Sequence, residues 1–286
     1  ISETAGNTFM LNMKYHNNNE NRFIRSDLSS EIIDDGYEII IGGPPCKPWS
    51  PLNINKRREV HQDYMLVFSI FRHIEYNRPS AFLMENVPFL RHDKIMRECI
   101  NNLSGMYSIE SCIVRYSDYG APTSRCRLIV FGIRRDRGTA GMFFRELARY
   151  TAPAQRVRDV IWDLRYRRMG EIPDHEWFEA RTIEKYRDKY RDKKYGWYLL
   201  DWDKPAPSFG NIMKTYVLHP DARRVISVRE ALLLMGFPPH FRFPERTGLG
   251  VRYQMVVDAV SPVFSYTVAR VIRKMLYDDG WMNDHD

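Results

Sequence analysis

A cysteine held on a stiff turn directly after an apolar run is a candidate nucleophile, because attack needs a thiolate presented in a fixed place. Gly42-Gly43-Pro44-Pro45-Cys46-Lys47-Pro48-Trp49-Ser50 has that form: three prolines constrain the turn, and Tyr37 to Ile41 precede it as a buried strand. A lone cysteine is more often a small buried residue in a tight turn. The Pro-Pro-Cys-x-Pro-Trp-Ser context shifts the balance toward chemistry. Glu85-Asn86-Val87 follows a second apolar run, Ser80 to Met84, so Glu85 is expected at the same sheet edge as Cys46, where a carboxyl can act as an acid or hydrogen-bond partner to a substrate ring. Three residues alone carry little weight. Arg125-Cys126-Arg127 precedes the strand-like LIVFGI; arginines two apart on an extended chain share a side and could orient a carbonyl or a carboxylate, although a basic strand edge is the simpler account of that pair by itself.

These residues need a scaffold that brings strand ends together. Short apolar runs alternate with longer amphipathic stretches through the first half, the pattern of a parallel sheet with crossover helices. Strands are expected at 37–41, 80–84, 108–116 and 127–133, and helices at 63–76 and 93–103. The fold class is α/β, of the doubly wound kind. From Thr151 to Lys204 Arg, Lys, Asp and Tyr dominate, as in EKYRDKYRDKKYGWY, and no hydrophobic strand stands out. Helices are expected again at 227–235, ended by Gly236 and Pro238, and at 265–276. Gly248-Leu249-Gly250, the one G-x-G, reads as a turn.

Composition narrows the classes. The chain has 286 residues, 44% hydrophobic and 13% aromatic, with 16 Gly and 16 Pro, which excludes collagen-like, disordered and low-complexity proteins. Four cysteines without a C-x-x-C pair predict neither a disulfide framework nor a metal site. No apolar run approaches the ~18 residues that cross a bilayer, and no signal-peptide pattern opens the chain, so an intracellular protein is expected. A net charge of +7 permits a polyanionic partner without requiring one.

The ordered segments GGPPCKPWS, Glu85-Asn86-Val87, Thr123-Ser124-Arg125-Cys126-Arg127, Val228-Arg229-Glu230-Ala231 with Met235-Gly236-Phe237-Pro238, and Asp258-Ala259-Val260-Ser261-Pro262 resemble the motifs of the C5-cytosine DNA methyltransferases. The resemblance spans about Glu3 to Ile272 and is weakest between 160 and 200. It implies an S-adenosylmethionine-dependent methyltransferase fold with a smaller target-recognition domain: a catalytic domain at 1–152, a small domain at 153–254, and a terminal segment at 255–286 whose helix returns to the catalytic domain. The implied reaction is methylation of carbon 5 of a cytosine flipped from duplex DNA, with Cys46 adding to carbon 6, Glu85 at ring nitrogen 3, and Arg125 and Arg127 near the base. Pro45, Ser50 and Asn86 are the implied substrate neighbours. Arg57 and Arg58, in a stretch from Pro51 to Gln62 similar to the family's mobile loop, are the implied DNA contacts. Asp27, Leu28, Pro45, Leu66 and Asp258 are the implied cofactor neighbours.

Thr8, Asn12, His16 and Asn17, ahead of Ser26-Asp27-Leu28, resemble the family segment after its second strand. The family's Gly-rich cofactor turn is missing from the sequence, and residues upstream of Ile1, or a separate subunit, are expected to provide it. Val257-Asp258 stands where the family most often has Gly-Asn. The region Arg165 to Tyr216 falls where relatives read DNA, although a solvated charged helix would also explain it, and Pro205 to Lys214 resembles a groove-entering loop. The expected setting is a prokaryotic cytoplasm at the nucleoid, as a monomer on DNA, in a restriction-modification system or alone. Alternatives are methylation of cytosine in tRNA, whose Cys-Phe-Thr signature is not found here, and a silent DNA-binding subunit.

Overall fold

A computed structural model describes residues 2–13, 23–34, 36–50, 58–179, 183, 198–221 and 223–277. The chain divides into two compact units. The sheet unit takes Ser26–Arg115, Cys126–Thr151 and Tyr266–Asp286, and the second unit takes Ile1–Arg25, Tyr116–Arg125 and Ala152–Ser265.

The sheet unit is built on four strands, β1 (Ile39–Gly42), β2 (Ala81–Asn86), β3 (Tyr107–Arg115) and β4 (Cys126–Arg134), in the order β1-β2-β4-β3. β1 and β2 run parallel, joined through helix α2 (Val67–Asn77), which buries Val67, Phe71 and Ile74 at helical spacing. The sheet is mixed rather than parallel throughout: β4 is antiparallel to both β2 and β3. The chain between β3 and β4 spans only 116–125, too short for the crossover that a parallel pair requires. Helix α3 (Lys94–Leu103) turns Ile95, Met96, Cys99 and Leu103 into the same core as Phe82 and Met84. Burial pushes the Cys99 thiol up to about 12, so this cysteine is an inert core residue.

Close packing is strictest between Phe82 and Gly132, paired across β2 and β4: a methyl on Gly132 would lie 2.1 Å from the Phe82 ring. On helix α4 (Ala140–Leu147), Phe143 stacks on Phe131 with ring centroids 4.1 Å apart. Within the sheet unit the terminal helix α8 (Pro262–Tyr277) is tied by Lys274 Nζ donating to Glu146 Oε1 at 2.7 Å and the Tyr277 hydroxyl donating to Glu38 Oε2 at 2.6 Å. Burial alone would raise the Glu146 carboxyl, but Lys274 and Arg149 outweigh it and hold the group below its ordinary value.

The second unit packs its own core from Val157, Ile161, Val217, Leu218, Ile226, Leu232, Tyr253 and Val256. Its described elements are α1 (Glu3–Met13), α5 (Val157–Ile161), α6 (Val228–Leu234), α7 (Leu249–Asp258) and a short parallel pair, β5 (Tyr198–Leu199) with β6 (Val217–Leu218). Helix α1 belongs here because Asn12 grips the Arg242 backbone from both sides, Nδ2 donating to the carbonyl at 2.8 Å and Oδ1 accepting the N–H at 3.0 Å. Residues 1–25 group with 116–125 and 152–265 in this unit.

The Val-Arg-Glu-Ala motif is a structural knot. Ser227 and Glu230 form a reciprocal capping box at the head of α6, and Glu230, fully buried, accepts two 2.7 Å bonds from Arg224. Burial opposes the charge on Glu230, yet Arg224 keeps its carboxyl below the usual range. Arg229 and Arg252 converge on Asp174, at 3.1 and 3.0 Å. Asp174 itself adopts the left-handed region, φ 61, which Asp tolerates better than most side chains. Gly248 is a helix cap rather than a free-standing turn: α7 begins at Leu249. The stretch 249–277 is long and apolar enough to span a bilayer by composition, but its backbone breaks at Ala259 into two separate helices.

Candidate active site

Because β1 and β2 are parallel, their C-terminal ends lie at one edge of the sheet, and the segments leaving them carry the residues that the sequence singled out. After Gly42 the chain passes through Pro44 and Pro45 to Cys46, a half-buried thiol packed against the sheet-unit core. Cys46 has φ −100 and ψ −2, the bridge region where active-site residues recur, and it caps a single 3-10 turn, Lys47–Trp49. Pro48 and Trp49 are buried, so the turn is anchored by its own side chains.

Glu85 is the penultimate residue of β2. Arg127, the second residue of antiparallel β4, reaches it: Nε lies 2.8 Å from Oε1 of Glu85, and the two side chains are only 12% and 14% exposed. The guanidinium also donates from Nη1 to the Cys126 carbonyl at 2.8 Å, which fixes its plane. A methyl placed on Gly43 would sit 3.4 Å from Oε2 of Glu85, so the carboxylate lies directly against the start of the cysteine turn. Asn86 is 1% exposed and works on the backbone: Nδ2 donates to the Pro44 carbonyl at 3.0 Å, while Oδ1 accepts the Val87 N–H at 2.9 Å. The family resemblance assigns Asn86 to the substrate's surroundings, and its described bonds hold the turn.

The remaining candidates divide between the units. Pro45, Ser50, Leu66, Asp27 and Leu28 lie in the sheet unit with Cys46, Glu85 and Arg127. Asp27 forms a local turn, its Oδ1 accepting from Ser29 N at 3.0 Å and Ser29 Oγ at 2.7 Å, and those bonds lower its pKa. Leu28 beside it is 44% exposed, and the turn is tied to α2 by Arg72 donating to the Ser29 carbonyl at 2.9 Å. Leu66 is half-buried at the entry to α2. Arg125 and Asp258 belong to the second unit: Arg125 is 5% exposed, and Asp258 is exposed, accepting from Gln254 at 2.8 Å. Thr8 and Asn12 are also there, committed to α1 and its anchor. Arg57, His16 and Asn17 lie outside the described residues, and Arg58 opens a 3-10 turn, Arg58–Val60. Among the described residues no group of three or more His, Cys, Asp or Glu could hold a metal ion.

Asp93 was not singled out for the site. It caps α3 and also accepts from Trp49 and Tyr64. The capping role is readable, since Asp precedes a helical apolar run; the long-range partners are not.

A thiol on a fixed turn beside an arginine-held carboxylate suits addition to a polarised ring, and the sequence pattern of the C-5 cytosine-specific DNA methylases matches residues 1–274. The chain belongs to that family. This methylase is 26% identical over 308 residues to a type II methylase of Herpetosiphon aurantiacus, covering 92% of this chain and 84% of that protein. It is 23% identical to a type II methyltransferase of Neisseria gonorrhoeae, with 87% and 80% covered. Among solved structures, the S. pombe Dnmt2 methyltransferase aligns with a TM-score of 0.70 at 16% identity, over 97% of the methylase and 90% of that chain. The Entamoeba histolytica methyltransferase aligns with a TM-score of 0.67 at 17% identity, over 98% and 88%. These likenesses establish the methyltransferase fold; the enzyme is a DNA (cytosine-5-)-methyltransferase.

Proposed function

We propose that the methylase acts on a cytosine flipped out of duplex DNA, with Cys46 as nucleophile and S-adenosylmethionine as methyl donor. The observation that carries this reading is the placement of the Cys46 turn against the Glu85 and Arg127 pair at one strand edge. Carbon 5 of cytosine is a poor nucleophile. Addition of the Cys46 thiolate to carbon 6, with Glu85 donating a proton or hydrogen bond to ring nitrogen 3, makes the ring an enamine that is nucleophilic at carbon 5. When bound, S-adenosylmethionine supplies an electrophilic methyl group. Loss of the carbon 5 proton to a base, departure of the Cys46 sulfur as thiolate and return of the nitrogen 3 proton to Glu85 then restore the aromatic ring. Arg127 keeps the Glu85 carboxyl group oriented throughout, and Arg125, with Arg127, is proposed to hold the base's carbonyl oxygen.

Asp27 and Leu28 suit an adenine, whose exocyclic amine donates to a carboxylate and whose faces are apolar; Leu28 is exposed and Asp27 uses Oδ1 for its local turn. Pro45, Leu66 and Asp258 are assigned to the same ligand on the family resemblance. The 153–254 region is proposed to read the DNA. Its support is an exposed basic and aromatic cluster in which the Arg165 guanidinium lies 3.9 Å from the Trp162 ring centroid and 4.4 Å from that of Tyr166, itself 81% exposed. We assign the enzyme to the cytoplasm, as a monomer on DNA, in a restriction-modification system or alone.

The test is covalent capture. A duplex with 5-fluorocytosine at the target should trap the wild type, because fluorine cannot leave as a proton does. Cys46→Ser should bind DNA and neither trap nor methylate; normal turnover by that variant would remove Cys46 from the mechanism.

A further inference from the structure

Asp93 uses more of its carboxylate than a helix cap requires. Oδ1 accepts from the Ile95 N–H at 3.1 Å and from the Tyr64 hydroxyl at 2.7 Å, while Oδ2 accepts from the Trp49 indole Nε1 at 2.9 Å. One oxygen suffices for capping. The other goes to the residue that closes the nucleophile's turn: the Trp49 backbone N–H donates to the Cys46 carbonyl at 3.0 Å. Trp49 is 1% exposed and packs 5.4 Å, centroid to centroid, from Tyr64. A charge-assisted bond from a buried indole is directional, so it adds to packing in fixing the ring's orientation. The Cys46 turn is therefore held on both flanks, upstream by Asn86 on the Pro44 carbonyl and downstream by Asp93 on Trp49.

We infer that Asp93 is a positioning residue, holding Trp49 and through it the Cys46 thiol where it attacks. The inference rests on the reading of Cys46 as the nucleophile. Asp93→Asn isolates the effect. With its amide oxygen in the place of Oδ1, Asn keeps the helix cap and the Tyr64 bond but turns an NH2 toward the indole N–H, so two donors face each other.

The experiment measures the rate of covalent capture by a 5-fluorocytosine duplex at saturating DNA and S-adenosylmethionine, together with DNA Kd and Tm, for the wild type and four variants. Asp93→Asn and Trp49→Phe should each slow capture about tenfold, the scale set by a small misplacement of a reacting atom, with Kd unchanged. The double variant should be no slower than either single one, because both break the same link. Tyr64→Phe, which removes a different bond to the same carboxylate, should capture within about twofold of the wild type. Wild-type capture by Asp93→Asn, additive effects in the double variant, or equal slowing by Tyr64→Phe and Trp49→Phe overturns the positioning role. A wild type that does not capture at all overturns the nucleophile assignment itself, and the inference with it.

Discussion

Nε of Arg127 lies 2.8 Å from Oε1 of Glu85, and neither side chain is more than 14% exposed. The two residues sit on neighbouring antiparallel strands, near the end of one and the start of the other, so the sheet itself sets their separation. A charge pair held this way keeps the carboxylate in one orientation before any substrate arrives.

Arg127→Ala leaves the Glu85 carboxylate without this partner in a mostly closed site. Methyl transfer to duplex DNA, followed with a labelled donor, should fall by about 10²–10³-fold, the scale on which preorganised charge contributes to catalysis. Arg127→Lys should recover little, because an ammonium cannot reproduce the simultaneous contacts of Nε and Nη1. Near-normal activity in both variants would show that Glu85 is held by other means.

Asn86→Asp removes the donor to the Pro44 carbonyl and puts a negative charge beside an acceptor. A buried acceptor left unsatisfied costs about 1–3 kcal/mol, so Tm should drop by a few degrees while activity falls with it. Asn86→Ser, smaller and uncharged, should lose the turn contact with a gentler drop in Tm. Calorimetry and turnover on both variants check the order.

Acidification should weaken the second unit in a defined window. His175 and His219 are buried, and desolvation first, with the Arg224 charge adding to it, lowers both below the ordinary 6.5. The unfolded chain then binds more protons than the native one just below that value, so stability is full above about pH 6.5 and declines as pH falls toward the native values. Asp221 N–H donates to Nδ1 of His219 at 3.3 Å, consistent with the neutral ring. Tm measured from pH 8 to pH 5 should fall on the acid side, and His219→Phe should flatten that slope; an unchanged slope would assign the transition elsewhere.

Gly132→Ala should overpack the sheet, since the new methyl meets the Phe82 ring. The expected cost is about 1–3 kcal/mol, read from denaturant unfolding. Phe82→Leu in the same chain should return part of it, because the conflict lies with that ring.

The sheet edge was legible in the sequence because apolar runs at 37–41 and 80–84 end where Cys46 and Glu85 begin, and both strands form there. Antiparallel β4 was not legible, since a period of two gives a strand but not its direction. Helix α1 escaped notice because it buries Gly6, Thr8 and Asn12 rather than an apolar stripe. The hold of Asn86 on Pro44 and that of Asp93 on Trp49 join residues 42 and 44 positions apart. No local pattern encodes such pairs. Arg229 and Glu230 stood out as a motif, and they satisfy Asp174, Arg224 and a helix end.

The path of the chain between the two units has a practical consequence for anyone cutting it. It passes from one unit to the other at 25/26, 115/116, 125/126, 151/152 and 265/266, so each unit is assembled from three separate stretches. A ribosome must therefore deliver the segment after 265 before the sheet unit is whole, and a protease that nicks any one join releases neither unit as an intact fragment. On the proposed reading, in which 153–254 recognises the DNA, grafting a new specificity calls for an insertion bounded by the 151/152 and 265/266 joins, with the ten residues 116–125 and the first 25 retained or redesigned to match it.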